Sequence, residues 1–260
     1  MFKSPGHIAF SIFSLDIHWY GIIMSLSILL GLMIIFVIKK KYFKEITTDT
    51  ICDLSFYLII FGLFSARLYY VLLDLPYFLR HPSEIFAIWN GGIAIQGAII
   101  GGILAGYTYI KDNKLNFLRT ADLFSFGLIS GQILGRWGNF FNSEAFGLPT
   151  DLPWRLYIPH TLRPLEYKIY EFFHPTFLYE SLLNIVVLLT MYFILKKQGE
   201  ERKNGIIFFS YLVLYSIVRI IVETIRIDSV LNIGVFHIAH IASIILLGVG
   251  VIGLYKISRN

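Results

Sequence analysis

Seven times along this chain, apolar residues run on for close to the length a helix needs to cross a bilayer, about 20 residues. The runs cover residues 19–38, 51–73, 88–110, 121–135, 176–195, 205–222 and 233–255. The fourth is short and glycine-rich, and its far end merges into a polar stretch. A backbone in lipid must satisfy its own hydrogen bonds, which leaves helices as the way to use such runs. Composition agrees: 56% of residues are hydrophobic and 15% charged, where a soluble domain carries about 25% charged residues. The expected fold is therefore all-α, a polytopic membrane protein of seven transmembrane helices.

Its orientation follows from the lysines and arginines. Lys39, Lys40, Lys41 and Lys44 follow the first run; Lys111, Lys114 and Arg119 the third; Lys196, Lys197, Arg202 and Lys203 the fifth. Lys256 and Arg259 follow the seventh, so these four segments hold 13 of the 22 basic residues. Positive charge concentrates in cytoplasmic loops, which puts the N-terminus outside and the C-terminus in the cytoplasm. The net charge of +5 is thus accounted for by topology, and no nucleic-acid partner is expected. Lysines after the first run, rather than before it, mark a retained anchor and not a cleaved signal peptide. The single cysteine, Cys52, excludes an internal disulfide and falls at the inner end of the second run.

The chain reads as a single membrane domain, 1–260, without repeats or flexible linkers. One long segment, about 139–174, stands between the fourth and fifth runs. It carries Pro149, Pro153, Pro159 and Pro164, and aromatics including Trp154, Tyr157, Tyr167, Tyr170, Phe172 and Phe173. Segments of that length are usually functional, and its aromatics point to an extracytoplasmic subdomain folded against the membrane surface.

The unusual polar residues collect at one depth. With the N-terminus outside, Tyr20, Arg67, Gln96, Arg136, Asn139, Asn142, Glu144, Glu180, Asn184, Arg219, Glu223 and Arg226 all fall toward the outer half of the membrane. The inner half receives almost none beyond the loop lysines. Arg219, Glu223 and Arg226 share a helix face by spacing, as do Thr176, Glu180 and Asn184. Charge at this depth is expensive and marks a functional site by default. The densest cluster is 135–147, GRWGNFFNSEAFG, where a guanidinium stands among amides and a carboxylate, a set suited to a phosphate or carboxylate. His237 and His240 lack a third ligand nearby, so no metal is expected. These residues describe an outer-leaflet site for an amphipathic molecule with an anionic head, such as a phospholipid. A transporter would show internal repeats and polar groups at the midplane, and neither is evident; a non-catalytic scaffold would not need this cluster.

At Gly135, Arg136, Gly138, Asn139, Phe140, Asn142, Glu144 and Gly147 the chain resembles the prolipoprotein diacylglyceryl transferase family, matching every fixed position of its signature. The resemblance extends to His18-Trp19-Tyr20-Gly21, Gly91-Gly92-Ile93, His174-Pro175, Tyr179-Glu180 and Arg219 through Glu223. One position departs: well-known members carry a histidine, regarded as a proton acceptor, where this chain has Gln96. Glutamine hydrogen-bonds but is no base at neutral pH. Either a base there is dispensable or another group serves.

The resemblance implies a reaction, the first step of bacterial lipoprotein maturation at the outer leaflet of the cytoplasmic (inner) membrane. Phosphatidylglycerol is the donor, and the acceptor is the lipobox cysteine thiol near the signal-peptide cleavage site of a prolipoprotein. A thioether forms and glycerol 1-phosphate leaves. Arg136 and Arg219 are the expected catalytic groups, stabilising the leaving phosphate, with Glu144 and Glu223 fixing the arginines or relaying a proton. Arg136, Asn139, Asn142, Tyr20, Gln96, Glu180 and Arg67 are the expected substrate contacts. No metal or organic cofactor is implied.

Overall fold

The computed structural model describes residues 1–13, 15–88, 91–199, 202–227, 232–233 and 236–259. Among these, seven helices have 18 residues or more: α1 (Trp19–Tyr42), α2 (Thr48–Leu73), α4 (Ile95–Asp112), α5 (Phe117–Asn142), α6 (Thr176–Gln198), α7 (Ile206–Glu223) and α8 (Ile238–Arg259). A short helix, α3 (Leu75–Arg80), follows α2. Five of the long helices, α1, α2, α6, α7 and α8, are both long and apolar enough to cross a membrane. Of the other two, α4 is glycine-rich and α5 carries Arg119, Asp122 and Arg136. Basic side chains occupy the last turns of α1, α4, α6 and α8, where the helix dipole also favours them.

Two boundaries differ from the sequence reading. The third run does not start a helix at 88, because Gly91 and Gly92 sit at φ +86° and +76°, a left-handed conformation no helix tolerates; α4 starts only at Ile95. The fourth run is not short. Its helix continues through the polar motif to Asn142, so Arg136, Asn139 and Asn142 are helical residues and the segment between α5 and α6 begins at 143. The start expected for the seventh run, 233, borders residues 234–235, outside the described set; the helix is in place from Ile238.

The chain packs as two compact units, Phe43–Thr120 and a second made of Met1–Tyr42 with Ala121–Asn260. In the first, α2 and α4 lie in close contact: a Cβ at Gly97 or Gly101 would strike Ser65 and the α2 backbone. In the second, α1 runs antiparallel to α5 along a glycine stripe. A Cβ at Gly127 would meet Ile35, at Gly131 Ser27, at Gly135 Ser27 and Met24, and at Gly138 the Tyr20 ring, the last at 2.9 Å. The motif's glycines thus serve helix packing, the usual device where lipid gives no hydrophobic drive between helices.

The segment between α5 and α6 is folded. Strand β4 (Leu156–Tyr157) pairs in parallel with the N-terminal β1 (Phe2–Lys3) and antiparallel with β5 (Phe172–Phe173). Beneath this small sheet, Phe146, Leu156, Ile158, Phe173 and Phe177 form an apolar core, with Phe2, Trp137 and Phe140 packed against it. Strands β2 (Ile8–Ile12) and β3 (Leu15–His18) make a hairpin ahead of α1.

Candidate active site

Three helices of the larger unit bring four charged side chains into one chain. Arg136 Nη2 on α5 lies 2.6 Å from Glu180 Oε1 on α6. The other oxygen of Glu180 accepts from Arg219 Nη1 on α7 at 3.0 Å, and Arg219 Nη2 donates to Glu223 Oε2 at 2.5 Å. One carboxylate therefore bridges two guanidinium groups. The side chains of Glu180 and Glu223 are 3% and 2% exposed, Arg219 10% and Arg136 21%. Two cations and two anions sum to zero, which is what makes their burial tolerable.

The two arginines are not equivalent. Both terminal nitrogens of Arg219 are engaged by carboxylates. Arg136 is the more open; its Nη1 donates a long 3.4 Å bond to Asn139 Oδ1, and Tyr215 also lies beside this guanidinium. Arg136 is thus the cation best placed to take an incoming anion.

Beyond Arg136, the helix end folds back on itself. Ser143 and Ala145 adopt φ +53° and +55°, turning Glu144 toward the last turn of α5. Its Oε1 accepts from Asn139 Nδ2 at 2.9 Å and from Asn142 Nδ2 at 3.3 Å. These bonds fix both amides: Asn139 presents its oxygen to Arg136 while donating to Glu144. The turn is locked from outside by the Thr176 hydroxyl, which donates to the Ala145 carbonyl, and by the Gly147 N–H, which donates to the His174 carbonyl at 2.9 Å. Tyr20 stands over Gly138 within electrostatic reach of both Arg136 and Glu144.

The pattern that defines the prolipoprotein diacylglyceryl transferase family matches residues 7–256. The chain belongs to that family. Among its curated relatives is a phosphatidylglycerol–prolipoprotein diacylglyceryl transferase of Acaryochloris marina, 45% identical over all of this chain and 94% of its own length. Proteins of the same name in a Nostoc species and in Thermotoga maritima are 43% and 42% identical, over 98% and 94% of this chain and 90% and 82% of theirs.

Set against the family resemblance, the structure gathers Tyr20, Arg136, Asn139, Asn142, Glu144, Glu180, Arg219 and Glu223 in one unit. Gln96 and Arg67 belong to the other. Gln96 lies in the first turn of α4 and is partly exposed. Arg67 is committed to four backbone carbonyls and is a poor candidate for a head-group contact. Arg226 does not share the face of Arg219 and Glu223, because α7 stops at Glu223 and residue 226 pairs its backbone with Gly147.

Sequence reasoning missed three groups. Tyr215, one turn before Arg219 on α7, carried the signal of its i, i+4 spacing. Gln132, one turn before Arg136, donates to the Tyr211 hydroxyl at 2.9 Å. Asp122, fully buried near the start of α5, accepts the backbone N–H groups of Gly205 and Phe208 at 2.7 and 2.8 Å and so caps α7. The positive end of a helix stabilises the Asp122 charge. Among the described residues no group of three His, Cys, Asp or Glu side chains is placed to hold a metal; the side chain of His237 lies outside that description.

Proposed function

We propose that this protein transfers the diacylglyceryl group of phosphatidylglycerol to the lipobox cysteine of prolipoproteins, the first step of lipoprotein maturation. The bridged chain Arg136–Glu180–Arg219–Glu223, in a member of this family, is the observation that carries the reading. The cysteine sulfur attacks the glycerol carbon that bears the phosphate. A C–S bond forms, the C–O bond breaks, and its electron pair leaves on the phosphate oxygen as glycerol 1-phosphate. Only interactions stronger at this transition state than in the bound lipid speed the step.

Arg136 meets the phosphate first, since its side chain is 21% exposed against 10% for Arg219. As charge builds on the leaving oxygen, the guanidinium follows it within a site already organised by Glu180 and Asn139, where such stabilisation counts most. Arg219 holds Glu180 in place and contributes the N–H groups its carboxylates leave over. Asn142 and Tyr20 line the head-group side, and Gln96 offers its amide to the donor. The nucleophile must be a thiolate, whereas an unperturbed thiol, pKa about 8.5, is only slightly ionised at neutral pH. A guanidinium beside it favours ionisation, and the proton passes to Glu144, Glu223 or the leaving phosphate.

The membrane frame of this reading has seven crossing helices, α4 and α5 included. The N-terminus lies outside, the C-terminus in the cytoplasm, and segment 143–175 is a cap on the outer face of the bacterial inner membrane. Residues 1–260 serve as one transferase domain. The basic residues at the ends of α1, α6 and α8, at the opposite end from Arg136 by chain direction, support this orientation.

The test is release of glycerol phosphate from head-group-labelled phosphatidylglycerol by the purified protein with a lipobox peptide. Release should need the peptide thiol and vanish with a serine peptide. Arg136→Ala should lower the rate by about 10²–10³-fold, the loss typical for removing one preorganised donor at developing charge, with the protein still folded. An undiminished rate would remove Arg136 from the mechanism.

A further inference from the structure

Arg67 lies in the smaller unit, and among the described residues its hydrogen bonds run to main chain. Its Nε donates to the Ile85 carbonyl at 2.8 Å, Nη2 to Glu84 at 2.5 Å, and Nη1 to both Gly91 at 2.8 Å and Gly92 at 2.6 Å. A guanidinium has five N–H donors; four are used here. The Cζ atom lies 5.7 Å from the Tyr70 ring centre and 5.2 Å from that of Phe78, so aromatic faces hold the plane of the group while the carbonyls take its edge.

These bonds tie the backbone ahead of α4 to α2. Gly91 and Gly92 are both left-handed, and α4 opens at Ile95 behind Ala94, a residue with no side-chain capping bond. The Ala94 N–H instead donates to the Ala66 carbonyl, next to Arg67, at 3.1 Å. The turn is fitted closely to the arginine: a Cβ at Gly92 would come within 2.5 Å of Arg67 Nη1 and 2.6 Å of the Tyr70 ring. Four residues beyond Gly92 stands Gln96.

We propose that Arg67 is a positioning residue, which clamps the backbone at Glu84–Ile85 and at Gly91–Gly92 to α2 and thereby sets where Gln96 presents its amide. The inference rests on the functional reading above, in which Gln96 contacts the donor lipid. Arginine is required rather than lysine, because a planar fork reaches four carbonyls at once and an ammonium does not.

The experiment compares Arg67→Lys alone, Gln96→Ala alone, and both together, in transfer assays and in hydrogen exchange of backbone amides. Arg67→Lys should speed exchange in 84–95 and leave α6 and α7 unchanged. It should cut kcat/KM about tenfold or more in the native background, as small misplacements of a positioning group do, and less than twofold when Gln96 is already alanine. Gly92→Ala, which crowds the clamp from the other side, should reproduce both effects. Equal losses with and without Gln96, or unchanged exchange in 84–95, would overturn the proposal. An unsubstituted protein with no transfer at all would fell the functional reading and this inference with it. That failure is recognisable because the exchange comparison needs no activity.

Discussion

Glu180 holds two arginines with one carboxylate, and the consequences of losing it differ from those of losing either arginine. Removing Arg136 leaves Glu180 paired with Arg219. Removing Glu180 leaves Arg136 and Arg219 facing each other in a buried site, and breaking a buried pair by deleting one partner costs about 3–5 kcal/mol. Glu180→Ala should therefore unfold at markedly lower denaturant, whereas Glu180→Gln, which keeps an acceptor oxygen, should lose less stability but still lose transfer. Denaturant unfolding of both variants in the same detergent checks this. Equal stability of Glu180→Ala and the parent would show that the bridge is not a structural element. Residue identity was informative at this scale because charge in an apolar run is costly, so Arg136, Glu180, Arg219 and Glu223 stand out from sequence. Their partners do not: that Glu180, rather than Glu144, bridges the arginines depends on which faces of α5, α6 and α7 meet.

At the scale of elements, the turn after α5 is the part the sequence shows least directly. Spacing suggested that the motif begins where the fourth helix ends. Instead the helix absorbs Arg136, Asn139 and Asn142, and the turn is made by two non-glycine residues with positive φ, Ser143 and Ala145. No single-residue preference announces that; the surrounding contacts impose it, Thr176 on Ala145 and Asn139 and Asn142 on Glu144. The role of the motif's last glycine emerges the same way. A Cβ at Gly147 would lie 2.8 Å from the Ile225 carbonyl and 3.0 Å from both His174 Cβ and Thr176 Cγ2, so the turn packs onto the loop after α7 with no room to give. Gly147→Ala should cost about 1–3 kcal/mol, the usual range for overpacking, and lower transfer by shifting Glu144. Thermal unfolding and the transfer rate measured on one preparation check it; an unperturbed unfolding temperature would mean the contact relaxes freely. The third helix was likewise drawn too early, since apolar periodicity cannot register two left-handed glycines.

At the scale of the molecule, the sequence was most legible. Long apolar runs dictate helices, and the helical class and the basic ends can be read without a structure; what packs against what cannot. The paired glycine stripe of α5 and the ion chain are properties of assembled helices. The orientation makes its own prediction. In a background with Cys52 replaced by alanine, single cysteines at Ser4 and Ser258 should react differently with a membrane-impermeant maleimide in intact cells: Ser4→Cys labelled, Ser258→Cys labelled only after permeabilisation. The reverse pattern would invert the membrane frame and put the arginine chain on the cytoplasmic side.

In the proposed reaction a thiol displaces a phosphate from a glycerol carbon beside the arginine chain. The most direct test of this is the intact mass of a lipobox peptide incubated with the purified protein and phosphatidylglycerol of defined acyl chains. A gain of one diacylglyceryl unit on the cysteine, matched by an equal amount of glycerol phosphate and absent with Arg136→Ala, is the predicted result, and it would show that glutamine at 96 suffices. A peptide of unchanged mass, under conditions where the Acaryochloris marina relative modifies it, would contradict the claim.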